Sequence, residues 1–333
     1  GSLLGVGCRD VYGSGYNAGQ GGLAKRAEIN AFTGTHTGVQ GAGSGALDGR
    51  MQVTAADLTT ASFPGAIYFA EGVYVGSDDA PSGNALNNAS YRRMTVGAGG
   101  ALAFAGTTQV GVGAIYAWRD HGNGVGIPDP TVTITNVDIP SEGRFIVGQK
   151  VRDLGNGTWR YDYAIFNLNS DRSGGSLSIP VPAGTTVTNA GFYDVNYHSG
   201  EPYNNADWSI TVAANSVTWA SPQTFAQHVN SNALRWGTMY NFWFDANRPP
   251  AAGNATLGLF KPHTPQSVTF AAQVPLAPSV RGDVDGDGDV DLTDLALILA
   301  NFGCTASPCV GDLDFDGDTD LTDLAVLLAN FGG

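Results

Sequence analysis

The stretch GDVDGDGDVDLTD, residues 282 to 294, carries six aspartates, and GDLDFDGDTDLTD, residues 311 to 323, carries six more. Carboxylate oxygens are hard anionic ligands, and a run of them in a curled loop suits a divalent cation. In the first copy Asp283, Asp285 and Asp287 stand at loop positions 1, 3 and 5, and Asp294 at position 12. Asp289, at position 7, would offer its backbone carbonyl, and Asp291, at position 9, would act through water. Asp312, Asp314, Asp316, Asp318, Asp320 and Asp323 repeat the pattern, while Gly288 and Gly317 sit at position 6, where the loop must turn sharply. Six to eight oxygens in a flexible cage favour calcium over magnesium, which holds its waters, and over zinc, which prefers N and S ligands. The expected cofactor is calcium, one ion per loop. Without it the crowded carboxylates repel, so binding energy doubles as folding energy and the apo segment should be largely disordered.

Aligned at an offset of 29 residues, GDVDGDGDVDLTDLALILANFG and GDLDFDGDTDLTDLAVLLANFG agree at 17 of 22 positions, an internal duplication. The ligand spacing is that of an EF-hand loop. Each loop runs into one amphipathic helix, with Leu295, Ile298, Leu299 and Phe302 on one stripe and Leu324, Leu327, Leu328 and Phe331 on its counterpart. Gly303 and Gly332 are natural stops. No helix is expected ahead of either loop. Two tandem loop-helix units of this kind, over residues 281 to 333, closely resemble a type I dockerin module, which implies calcium-dependent docking to a cohesin-like domain. The chain departs from that family at loop positions 10 and 11, where the common Ser-Thr pair is replaced by Leu292-Thr293 and Leu321-Thr322, and it lacks the family's basic residues farther along the helix. The docking surface is therefore expected at Leu292, Thr293, Leu299, Leu321, Thr322 and Leu328. Its partner is a cohesin-like domain, the chain's own body or a neighbouring copy, the last giving a homopolymer.

Cys304 and Cys309 lie close together in CTASPC between the repeats. They read as a short-loop disulfide of an oxidising compartment, with two free thiols as the alternative. Cys8 is left over, free or paired elsewhere.

Charge is concentrated in the same place. Residues 281 to 333 hold twelve Asp and one Arg, a net −11 of the chain's −14. Such local acidity argues for bound cations and against nucleic acid. No apolar run approaches the roughly 18 to 20 residues of a membrane helix. A start at Gly1, without Met or signal peptide, is expected of a processed or trimmed product, with Gly1 and Ser2 either a tag scar or a true cleavage site.

The elements that must carry this tail are short and alternating. TVTITNV, RFIVGQKV, TWRYDYAIFNLN, SVTWAS, MYNFWFDAN and SVTFAAQV read as strands, as do AIYFAEGVYV, YRRMTV, GAIYAW and GFYDVNYH. RFIVGQKVRDLGNGTWRYDY reads as a hairpin turning at Asn156-Gly157. The fold class is mainly β: an antiparallel β-sandwich over residues 50 to 276, with two sandwiches in series divided near 130 to 140 as the variant, and a small helical calcium module at the C-terminus. Residues 1 to 49 form a glycine-rich arm or lid, ordered only where it packs on something. Residues 277 to 281 are the linker, and 282 to 333 the module.

No nucleophile elbow, phosphate loop or dinucleotide fingerprint occurs, and the five histidines are scattered. The richest polar segment is FYDVNYHSGEPYNNADW, with Asp194, His198, Glu201, Asp207 and Trp208 as a candidate ligand site, against the plainer reading of a strand and polar loop whose aromatics fill the core. RWGTMYNFWFDAN invites a sugar platform through Trp236, Tyr240, Phe242, Trp243 and Phe244, but aromatics on both faces of one strand fit a doubly covered core strand better. The sequence thus points to a secreted, calcium-binding structural or assembly protein of the cell surface, forming a filament or sheath. The alternative is a polysaccharide-active or sugar-binding subunit carried by a scaffold.

Overall fold

A computed structural model describes residues 26–36, 53–59, 61–197, 201–276, 281–286, 288–305 and 308–332. The protein is mainly β, with antiparallel sheets and two C-terminal helices. Thirteen strands are described: β1 (Tyr68–Val73), β2 (Ala89–Val96), β3 (Leu102–Gln109), β4 (Thr133–Ile139), β5 (Gly143–Asp153), β6 (Trp159–Asn167), β7 (Gly174–Pro180), β8 (Val187–Tyr193), β9 (Ser209–Val212), β10 (Ser216–Ala220), β11 (Thr238–Ala246), β12 (Pro250–Leu259) and β13 (Ser267–Pro275). They form three sheets, ordered β1-β2-β3, β4-β5-β6-β11-β8 and β13-β12-β7-β10-β9. Among the described residues no helix is long and apolar enough to cross a membrane.

Alternation decides which face of each strand is buried. Tyr161, Tyr163 and Ile165 of β6 and Tyr240, Phe242 and Phe244 of β11 point into one cluster with Leu177 and Ile179 of β7, Val217 and Trp219 of β10, and Leu257 of β12. The two five-stranded sheets thus share a core, each large side chain contributing roughly 1.5–3 kcal/mol by leaving water. Polar tips inside it find partners, as buried hydroxyls must. Tyr163 donates to the carbonyl of Gln273 on β13 at 2.5 Å, and Tyr161 to that of Arg248 at 2.9 Å. The β5–β6 hairpin turns through residues 154 to 158, with the Leu154 amide donating to the Thr158 carbonyl and Gly155 and Gly157 at positive φ.

Three expectations need correction. GAIYAW is no strand: Tyr116–Asp120 form one helical turn, α1, which sets Ile115 and Ala117 inward. A run this short cannot separate strand from helix by pattern. Residues 53 to 132 do not make a second pair of facing sheets. They supply the single three-stranded sheet, whose β3 is almost wholly exposed. The sheet's few apolar groups join a small cluster with Ile146, Ala164 and Phe166 on the outer face of β5 and β6. Finally, GFYDVNYH is strand only as far as Tyr193.

Of the N-terminal arm, residues 26 to 36 lie on the body. The Arg26 guanidinium grips Glu201 with two bonds of 2.7 Å, and the Trp236 indole N–H donates to the Ile29 carbonyl at 3.0 Å. Cys8 falls outside the described residues.

Candidate metal centre and docking face

The tail is built from two copies of one unit. Helices α2 (Leu292–Asn301) and α3 (Leu321–Ala329) each begin where the acidic loop ends. The reason lies in the DLTD tetrapeptide. Asp291 caps α2 by accepting from the Thr293 amide at 2.6 Å, while Asp294 accepts from the Asp291 amide at 2.8 Å. Asp320 and Asp323 repeat both bonds at 2.6 and 2.8 Å. These are capping boxes with carboxylates at both ends, each stabilising its helix start by about 1 kcal/mol. The sequence reading gave Asp291 and Asp320 only a water-mediated ligand role. The Asp-x-x-Asp spacing before an apolar run is the signal that would have found the caps.

Asp294 and Asp323 are fully buried and organise their loops. Asp323 also accepts from the amides of Leu313 at 2.6 Å and Asp314 at 3.2 Å, and Asp294 accepts from Val284 at 2.6 Å and Asp285 at 3.1 Å. Burial alone would raise both carboxyls, but the convergent backbone donors outweigh it and hold them below the usual range. Position 12 therefore stays anionic.

Around these anchors the other carboxylates converge. Asp283 and Asp285 with Asp294, Asp289 and Asp291 with Asp294, Asp312 and Asp314 with Asp323, and Asp318 and Asp320 with Asp323 each place one oxygen within 4.8 Å of the others. All such groups among the described residues lie in this tail. Asp287 is outside the described residues, whereas Asp316 is exposed, belongs to none of these groups, and accepts from the Asp318 amide at 3.2 Å. Two oxygens, Asp312 Oδ1 and Asp318 Oδ1, are buried without a hydrogen-bond partner among the described residues. A buried anionic oxygen with nothing to donate to it is costly, and a cation removes that cost. The donor set is all oxygen, so the residues present fit calcium. Burial, and after it the neighbouring carboxylates, raise the Asp314 and Asp318 carboxyls. Two acidic loops of the body, GSDDAPSGN from residue 76 and RDHGNGVGIPDP from residue 119, have carboxylates paired within the protein: Asp79 accepts from the Asn88 side-chain amide, and Asp129 pairs with Lys150 at 2.6 Å.

The two units pack with local symmetry. Gly303 N–H donates to the Thr319 carbonyl at 2.7 Å, and Gly332 N–H to that of Val290 at 2.8 Å, a matched pair at the 29-residue offset. Val290, Ile298 and Leu327 are fully buried between the helices, with Leu295 and Leu324 beside them. Cys304 and Cys309 are joined in a disulfide that closes the connection between units. The expected apolar stripe is thus divided. Leu292 and Leu321 are each 71% exposed, Leu299 and Leu328 each 56%, so each helix shows two leucines seven residues apart, two turns along one face. Thr293 and Thr322 are exposed beside them.

The candidate ligand segment of the body is occupied by its own neighbours. Trp208 is buried, stacked on Phe192 at 5.6 Å, and its indole N–H donates to the Asn232 carbonyl at 2.9 Å. Asp194 accepts from the Asn232 amide, and burial lifts its carboxyl above the usual range. Glu201 is held by Arg26, Asp207 is exposed, and His198 lies outside the described residues.

No protein-family model matches the chain, and no curated protein matches it either.

Proposed function

We propose that residues 281 to 333 form a dockerin-like module that two calcium ions fold into a docking surface, on a secreted structural or assembly protein. The two five-stranded sheets serve as its rigid β-sandwich scaffold. The observation carrying this reading is the pair of buried, partnerless oxygens of Asp312 and Asp318 in a cage of carboxylates, directly behind helices that expose matched leucines. The Cys304–Cys309 disulfide fits an oxidising, extracellular setting. The module exposes two related leucine faces, and such a two-sided surface suits association with neighbouring copies of the chain.

The test is sedimentation velocity of the full chain in calcium and in EGTA. Assembly in calcium, dispersal in EGTA, and a Leu299→Asp/Leu328→Asp variant that stays monomeric while still taking up calcium are the expected results. A chain monomeric in both buffers that binds a cohesin-like domain through the same leucines moves the partner to another protein. A monomer that releases reducing sugar from a polysaccharide overturns the structural reading in favour of the enzyme.

A further inference from the structure

Behind the shared core, the outer face of the β4-β5-β6-β11-β8 sheet meets α1 and the β1 strand around a cavity of about 530 Å³. Registered pairing lays out its floor. Gly148, Ala164 and Asn241 form one row across β5, β6 and β11, and Asp162, Trp243 and Gly191 form the next across β6, β11 and β8. Two of these positions are glycines because indoles lie against them. A Cβ on Gly148 would come within 2.9 Å of the Trp118 ring, and one on Gly191 within 2.1 Å of the Trp243 ring. Trp243 therefore leans away over β8 and Trp118 covers β5, with Ala164, a small and nearly buried side chain, at the bottom of the cavity between them. With β6 and β11 intervening and the two rows two residues apart, the two glycines stand roughly 16 Å apart, at about 4.8 Å per strand and about 3.3 Å per residue.

The walls are aromatic, yet they carry polar atoms that the protein does not use. Neither the Trp118 nor the Trp243 indole N–H has a hydrogen-bond partner among the described residues, nor does the Asn241 amide. His121 accepts from the Gly126 amide through Nδ1 at 2.7 Å, which leaves Nε2 for other contacts, and its ring rests on Phe69 at 5.0 Å. Asp162 is the one carboxylate of the lining, and Arg152 neutralises it at 2.9 Å. The cavity accordingly has no uncompensated charge.

We infer that this cavity binds a neutral glycan, with pyranose rings lying on the indole faces and hydroxyls meeting Asn241 and Asp162. A hydrocarbon ligand would strip water from the Asn241 amide and both indole N–H groups and give nothing back, leaving each donor unpaired. Among the described residues of the lining a phosphate or uronate would find no lysine or arginine. A neutral pyranoside offers both an apolar C–H face and hydroxyls, and the span between the glycines admits about two sugar rings. The site is independent of the calcium module, so its success or failure leaves the docking reading untouched.

Calorimetric titration of the full chain in EGTA with cellotetraose, xylotetraose, mannotetraose and laminaritetraose, and separately with indole as an apolar probe, tests it. At least one tetraose should bind saturably with a dissociation constant in the micromolar to low millimolar range. Trp118→Ala and Trp243→Ala should each weaken it at least tenfold. Asn241→Asp, which keeps the side chain's size, should weaken it severalfold, and it serves as the test should a tryptophan truncation unsettle the fold. Heat with indole alone, no heat with any tetraose, or tetraose binding unchanged in the variants overturns the inference.

Discussion

Single residues reveal where the chain accepts a local cost. Phe315 occupies the loop position held by Gly286 in the first repeat, and both have positive φ, 64° and 80°. For glycine that conformation is free, whereas for phenylalanine it costs on the order of 1 kcal/mol. The ring is 88% exposed and recovers nothing by packing within the chain. Phe315→Gly should therefore raise the calcium-loaded module's stability by about 1 kcal/mol, read as a higher denaturant midpoint with an unchanged slope. If the ring belongs to the docking face, the same variant assembles less well. Glu71 shows a cost of a different kind. Burial against the body pushes its carboxyl up to about 7, although the Ala114 amide donates to it and pulls the other way. Between the ordinary carboxylate range and pH 7 the folded state then holds a proton that the unfolded state has lost, so this contribution is full at low pH and disappears as pH rises through 7. Relative to Glu71→Gln, the wild-type chain should lose about 1–2 kcal/mol of stability between pH 4 and pH 8, after discounting for Glu71's partial exposure. Parallel stability curves for the two proteins would refute the burial argument.

At the scale of elements, legibility followed sequence contiguity. The acidic loops could be read directly because all their candidate ligands fall within twelve consecutive positions. Strand β6 was equally plain, since its inward aromatics alternate with Arg160 and Asp162. Strands β7 and β12 were not seen: GGSLSIP and PAAGNATLGL bury small or isolated apolar groups, and their extended form is imposed by pairing with neighbours in the sheet. The single turn of α1 was misread because six residues carry too little periodicity. The apolar stripe of the tail helices was visible, but its division was not. Ile298 and Leu327 are sealed by the partner helix while Leu299 and Leu328, one position on, stay exposed, a distinction set by helix–helix packing. Likewise the Trp118–Trp243 cavity draws its walls from residues far apart in the chain and left no local signature. RWGTMYNFWFDAN contained half of it: Tyr240, Phe242 and Phe244 are core as expected, while Trp243 faces the other side.

For the whole molecule, two kinds of stability stand side by side. The body rests on a shared aromatic core. Among its described residues the tail has three fully buried side chains in its own apolar cluster, and it carries twelve aspartates against one arginine, so on the calcium reading proposed above its fold depends on what neutralises those charges. Amide hydrogen exchange across the full chain, in calcium and after EGTA, compares the two directly. The account predicts that protection of α2 and α3 collapses on chelation while that of β5, β6 and β11 is unchanged. Equal protection of the tail helices in both buffers would contradict it.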